Sequence, residues 1–143
     1  MSLNDAIIAQ VRDANRRFYD ALEALDIDAM AAVWAGGDDV ACIHPGGPVQ
    51  RGWDEVGGAW EAIMSHTGYI EFEIADVHVV VQDPVAWVSC VERITSATDE
   101  GATAVAEVAA TNVFVLDATG WRLVVHHASP IIRPGLGDDE ESG

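Results

Sequence analysis

The feature that most constrains this chain lies after Gly68, where the apolar pattern changes from a helical repeat to a repeat of two and holds it almost to the end. Four segments, 69–82, 85–98, 103–116 and 121–132, carry this alternation and are rich in Val, Ile, Thr and aromatic residues. The joins between them are Asp83-Pro84, Asp99-Glu100-Gly101 and Asp117-Ala118-Thr119-Gly120. Joins this short force antiparallel neighbours, because a parallel crossover needs a dozen or more residues. The second half of the chain is therefore a meander of long strands, and one face of it must be covered by whatever the first half supplies.

The first half supplies helices. Ile8, Val11, Phe18, Leu22 and Leu25 recur at helical spacing while Arg12, Asp13, Arg16 and Asp20 fall largely elsewhere, predicting a long amphipathic helix over 4–25. Asp28 is positioned to cap a brief second helix over 29–34, which Gly36-Gly37 ends. Residues 40–44 read as a strand running into Pro45, and Gly46-Gly47-Pro48 turns it into a short return strand, 49–51. A third helix begins at Trp53, with Trp53, Val56, Trp60, Ile63 and Met64 on one stripe. Its Gly57-Gly58 pair costs about 1 kcal/mol per glycine relative to alanine, so close packing is expected there. The fold class is α+β: three N-terminal helices on a curved, mainly antiparallel sheet. With 143 residues, one domain over 1–134 is expected, followed by an acidic, disordered tail over 135–143.

Charge narrows the partners. Twenty-four acidic residues face seven arginines and no lysine, a net charge of −17. Such a surface repels phosphate backbones and anionic lipids, so neither nucleic acid nor a membrane is expected as a partner. Charged residues interrupt every run long enough to span a bilayer, and the start MSLNDAIIAQ lacks a signal-peptide pattern, which points to the cytoplasm. Cys42 and Cys90 lie in apolar segments without a CxxC spacing and read as buried free thiols. No HExxH or two-His-one-carboxylate spacing links His66 and His78, so no metal and no cofactor is called for.

Four stretches carry a family resemblance: FYDALEALDIDAM (18–30), WAGGDDVACIHP (34–45), Gly52-Trp53, and GWRLVVHHAS (120–129). Together with the element order they resemble the nuclear transport factor 2-like (NTF2-like) superfamily over roughly residues 4–134. The last stretch is similar to the final strand of SnoaL-like proteins and of the calmodulin-dependent kinase association domain. The resemblance implies a cone-shaped fold with a pocket between sheet and helices. Its function is open, since the superfamily holds isomerases, dehydratases, polyketide cyclases, binding modules and assembly domains.

Strand parity sorts the candidate residues. In the last strand Trp121, Leu123, Val125, His127 and Ser129 alternate with Arg122, Val124, His126 and Ala128; in the one before, Val108, Ala110, Asn112, Phe114 and Leu116 share a face. Trp87, Ser89, Val91 and Arg93 form one set on the earlier strand. The resemblance implies that the faces with Arg93, Asn112 and His127 look into the pocket, and that His44 sits where the isomerase branch carries its carboxylate base. Phe18 falls where that branch has a tyrosine, with Tyr19 one residue along, and Asn112 where it has a protonated aspartate. Steroid isomerisation is therefore not expected.

The candidate catalytic set is His44, Asn112 and His127: a neutral imidazole in an apolar cavity can accept a proton, and a carboxamide can donate to a developing oxyanion. Phe18, Trp34, Trp53, Trp60 and Met64 would wall the ligand site, and Arg93 would hold an anionic group. Each has a plainer role as well: His44 bonding within its hairpin, His127 tethering a strand, Arg93 pairing with Glu107 or Glu92, Asn112 satisfying polar atoms, the tryptophans filling the core. The expected function is binding of a small hydrophobic or aromatic molecule, with a cofactor-free isomerase, cyclase or dehydratase reaction left open. The alternative is a non-catalytic dimerisation or association domain. Apolar residues assigned to both sheet faces, including Val79, Val81, Val113 and Val115, lead either reading to a homodimer through the sheet.

Overall fold

The computed structural model describes residues 2–132, so the expected acidic tail lies outside the described residues. Helix α1 (Leu3–Ala24) begins with a reciprocal cap: the Asp5 amide donates to Ser2 Oγ at 3.1 Å and the Ser2 amide to Asp5 Oδ2 at 3.4 Å. Leu25, in the left-handed region at φ 53°, closes it. Helix α2 (Ile27–Val33) starts two residues earlier than the sequence suggests, because Asp26 rather than Asp28 accepts the free amide, from Ala29 at 3.1 Å. The short strands β1 (Ala41–Ile43) and β2 (Val49–Arg51) follow, then α3 (Gly52–Ser65). A Cβ on Gly57 would stand 2.8 Å from the Trp53 ring, whereas at Gly58 it would meet nothing within 4 Å. The close packing expected of the pair is thus confined to Gly57.

Strands β3 (Thr67–Gln82), β4 (Val85–Thr98), β5 (Thr103–Asp117) and β6 (Gly120–Pro130) form the meander. The six-stranded sheet has the order β2-β1-β6-β5-β4-β3. All its pairings are antiparallel except β1 with β6, where Cys42 lies opposite His126. Strand β3 is therefore a 16-residue edge, and α1 lies along it and reaches β4 and β6. The inner face bears Val88, Cys90, Val108, Ala110, Phe114, Leu123 and Ala128, buried against Val11, Phe18, Leu22, Met30, Trp34 and Trp60 of the helical layer.

Two irregularities decide which side chains face inward. In β3 the pairing with β4 slips between Ala75 and His78, and Asp76 takes a φ of 53°. In β6, Val125 lies opposite Val113 but Leu123 opposite Phe114, leaving Val124 as an extra residue. That extra residue reverses the alternation: Trp121 and Leu123 are buried before it, His126 and Ala128 after it. The expectation that His127 shares the inner face with Leu123 is overturned for this reason. On the outer face, Val80, Trp87, Val113 and Val125 lie side by side across four strands, all half-buried. Val79 and Val81, by contrast, pack against the core.

Candidate active site

Helix α1 presents Asn15, Phe18 and Tyr19 on one face, since residues three and four apart in a helix are neighbours. Opposite them β4 offers Glu92, β5 Asn112 and β6 His126. All of the polar members are buried, Asn112 fully and Glu92 to 3% exposure. They form one directional chain. His126 Nδ1 donates to Asn112 Oδ1 at 2.5 Å, which fixes the tautomer with the proton on Nδ1. Asn112 Nδ2 donates to Asn15 Oδ1 at 2.8 Å and to Tyr19 Oη at 3.1 Å. Tyr19 Oη in turn donates to Glu92 Oε2 at 2.6 Å. His126 Nε2, left as the acceptor nitrogen, stands 4.0 Å from that same carboxylate oxygen.

Burial sets the charges of this chain. Loss of water raises the Glu92 carboxyl to about 7, with the Tyr19 hydrogen bond pulling the other way. The same burial lowers His126 to about 3, helped by the positive charges that His44 and His127 would carry, so the ring is neutral above mildly acidic pH. Tyr19 is raised far above the usual phenol range by burial and by the neighbouring Glu92 charge. Cys42 and Cys90, both free, are pushed up to about 12 and about 11 by burial, which leaves them as thiols rather than nucleophiles at neutral pH.

A cleft of about 300 Å³ opens between α1 and β3. Asn15 and Tyr19 line it from the helix, and Phe72, Ile74 and Val77 from the strand. Two members of the buried chain, Asn15 and Tyr19, thus border this cleft. Among the described residues no group of three or more His, Cys, Asp or Glu is placed to hold a metal ion.

The residues singled out in the sequence separate into three groups. Asn112 lies at the centre of the network. His44 is half-buried beside it, its ring edge-on to Trp60 at 4.6 Å and its Nε2 3.6 Å from Cys42 Sγ, and burial lowers its pKa. Phe18, Trp34, Trp60 and Met64 are buried and Trp53 half-buried, but the rings fill the interior rather than wall a hollow. The Phe18 ring lies 4.8 Å from His126, 5.6 Å from Trp60 and 6.4 Å from Trp34, and Trp53 rests on Trp34 at 6.1 Å. Arg93 and His127 are on the wrong face. Arg93 Nε bonds to Glu107 Oε2 at 3.1 Å across the outer surface, with Glu73 3.8 Å away. His127 is exposed on that surface beside Thr111 and Ser129.

Four members of the network were missed by the sequence reading. Glu92 had a visible signal, since it continues the set Ala86, Val88, Cys90 on the apolar face of β4. Asn15 and Tyr19 are one turn apart on α1 and could have been paired. His126 had none, because the extra residue in β6 leaves no mark on simple alternation.

Comparisons with known proteins bear on the fold and the family. A solved structure from Streptomyces avermitilis, provisionally described as a dehydratase of the NTF2-like family, is 38% identical and superposes with a TM-score of 0.85, covering 91% of this chain and 99% of that one. A second, from Thiobacillus denitrificans and provisionally described as a calcium/calmodulin-dependent protein kinase type II association domain, is 37% identical with a TM-score of 0.74 over 83% and 93%. The F-box protein SKIP8 of Arabidopsis thaliana is 27% identical over 118 residues; they are 82% of this chain but only 48% of that protein, so the chain spans about half of its length. The sequence profile of the SnoaL-like domain matches residues 11–133. With the matching arrangement of helices and sheet, this match makes the chain a member of the SnoaL-like family within the NTF2-like superfamily.

Proposed function

We propose that the chain binds a small hydrophobic or aromatic molecule in the cleft between α1 and β3 and catalyses a cofactor-free proton transfer on it, of the isomerisation, cyclisation or dehydration type. One observation carries the reading: Glu92, a buried carboxyl raised to about 7, is bonded at 2.6 Å to Tyr19, which lines the cleft. A group titrating near the working pH is available both as acid and as base. In the acid direction a protonated Glu92 donates to Tyr19 Oη while Tyr19 passes its own proton to the substrate oxygen, leaving the Glu92 carboxylate. In the base direction each proton moves the opposite way. Asn112 holds Tyr19 from the other side, and His126, neutral with its proton on Nδ1, holds Asn112. His44, its ring edge-on to Trp60, is not one of the residues that line the cleft, and no step is assigned to it.

Proton transfer can be watched without knowing the physiological substrate. Aromatic ketones and arylalkanoic esters are incubated with the protein in D2O, and exchange at the carbon beside the carbonyl is followed by NMR. Exchange by the wild type at least 100-fold faster than by Glu92→Gln is expected, the lower end of what a positioned acid or base contributes. Exchange equal in the two proteins, or none with any member of the series, removes the catalytic reading.

A second reading rests on the outer face. The row Val80, Trp87, Val113 and Val125 is half-buried and apolar, and a surface of this kind favours a homodimer through the sheet, as in an association domain. Light scattering at micromolar concentration decides it: a monomer in the wild type refutes the interface, and a dimer lost in Trp87→Glu supports it.

A further inference from the structure

We infer that the ligand of the α1–β3 cleft is an apolar monocarboxylate, its carboxylate paired with Arg12 and Arg16; this rests on the reading of the cleft as the ligand site. The two arginines are one turn apart on α1 and both line the cleft. Neither forms an ion pair with a carboxylate among the described residues, where Arg93 pairs with Glu73 and Glu107. Two unpaired guanidiniums on adjacent turns are a suitable seat for a carboxylate, which accepts parallel N–H bonds from a planar fork. They stand out in a chain of net charge −17, whose overall field repels anions, so any preference for one must arise locally.

The rest of the cleft sets the body of the ligand. Phe72, Ile74 and Val77 give an apolar floor, with the Phe72 ring 5.1 Å from that of Tyr19. Asn15 Oδ1 is taken by Asn112, while Asn15 Nδ2 donates to no group among the described residues and remains free for a ligand oxygen. Asp20 and Glu23 line the other end of the cleft, and Glu23 Oε2 already accepts the Phe72 amide at 2.8 Å. The cleft is thus cationic at one end and anionic at the other along α1. That gradient admits one carboxylate and disfavours a second at the far end.

The test compares 3-phenylpropionate with its neutral analogue 3-phenylpropanamide by calorimetry on the full chain, with NMR shifts of Phe72 and the arginine Nε groups reporting location. The acid is expected to bind at least tenfold more tightly than the amide at low salt. Arg12→Gln combined with Arg16→Gln should bring the two ligands together, while Arg17→Gln, outside this cleft on the same helix, should leave the preference intact. Equal affinities in the wild type, or a preference that survives the double substitution, overturn the inference and leave the cleft as a ligand site. If neither compound perturbs Phe72, the cleft reading falls and the inference with it.

Discussion

Replacing Glu92 by Gln should make the protein less sensitive to rising pH, and the size of the effect follows from its burial. In the unfolded chain the carboxyl titrates at its ordinary 4.5; in the folded protein it does so at about 7. A raised carboxyl is a liability at high pH: the unfolded state releases its proton first, so stability is intact below about 4.5 and drains away as pH climbs to 7. That displacement corresponds to about 3 kcal/mol at about 1.36 kcal/mol for each tenfold change in proton affinity, and most of it is lost between pH 5 and 8. Gln keeps an acceptor for Tyr19 but has no proton to lose. Urea titrations of both proteins at pH 5 and pH 8 isolate the effect, because contributions common to the two, including that of His126, cancel in the difference. The variant should gain about 2–3 kcal/mol on the wild type over that interval. Parallel stabilities at the two pH values would refute the claim that Glu92 is held protonated by its surroundings.

Two further outcomes test the packing and the surface. Gly58→Ala, with open space around the new methyl group, should stabilise α3 by about 0.5–1 kcal/mol, whereas Gly57→Ala, driven against Trp53, should destabilise by about 1–3 kcal/mol; thermal melts of the pair would show opposite signs. Arg93→Ala should change stability by less than about 1 kcal/mol and leave ligand binding untouched, since its two ion pairs lie on the solvent side of the sheet.

Much of the architecture was legible because it follows from periodicity. Four long alternating segments with short joins leave only an antiparallel meander, and two apolar stripes with a short capped segment between them leave helices to cover it. The candidate site was half legible. Asn112 fell on the face predicted for it, since β5 alternates cleanly from Val108 to Phe114. His127 did not, because the chain places two histidines in succession and a single extra residue decides which one turns inward. Arg93 was drawn inward by analogy although Glu107, directly across from it, offered a partner on the opposite face. Phe18 and Tyr19 show a different limit. Both point from α1 into the protein interior, one filling the space among the rings and the other bonding to Glu92, and helical spacing does not distinguish these roles.

The exposed length of β3 bears on how the protein behaves in a crowded solution. A 16-residue border strand is a template on which a second chain can add its own backbone, the first step towards fibrous aggregates. This one is poorly suited to that. Its Phe72 amide is occupied by Glu23 from the helix above, Glu71 and Glu73 flank that point, and the kink at Asp76 breaks the straight run a visiting strand would need. The Glu23 contact at one end of the cleft therefore also guards the border of the sheet, and a substitution at Glu23 would be felt as a loss of solubility as well as a change in the cleft.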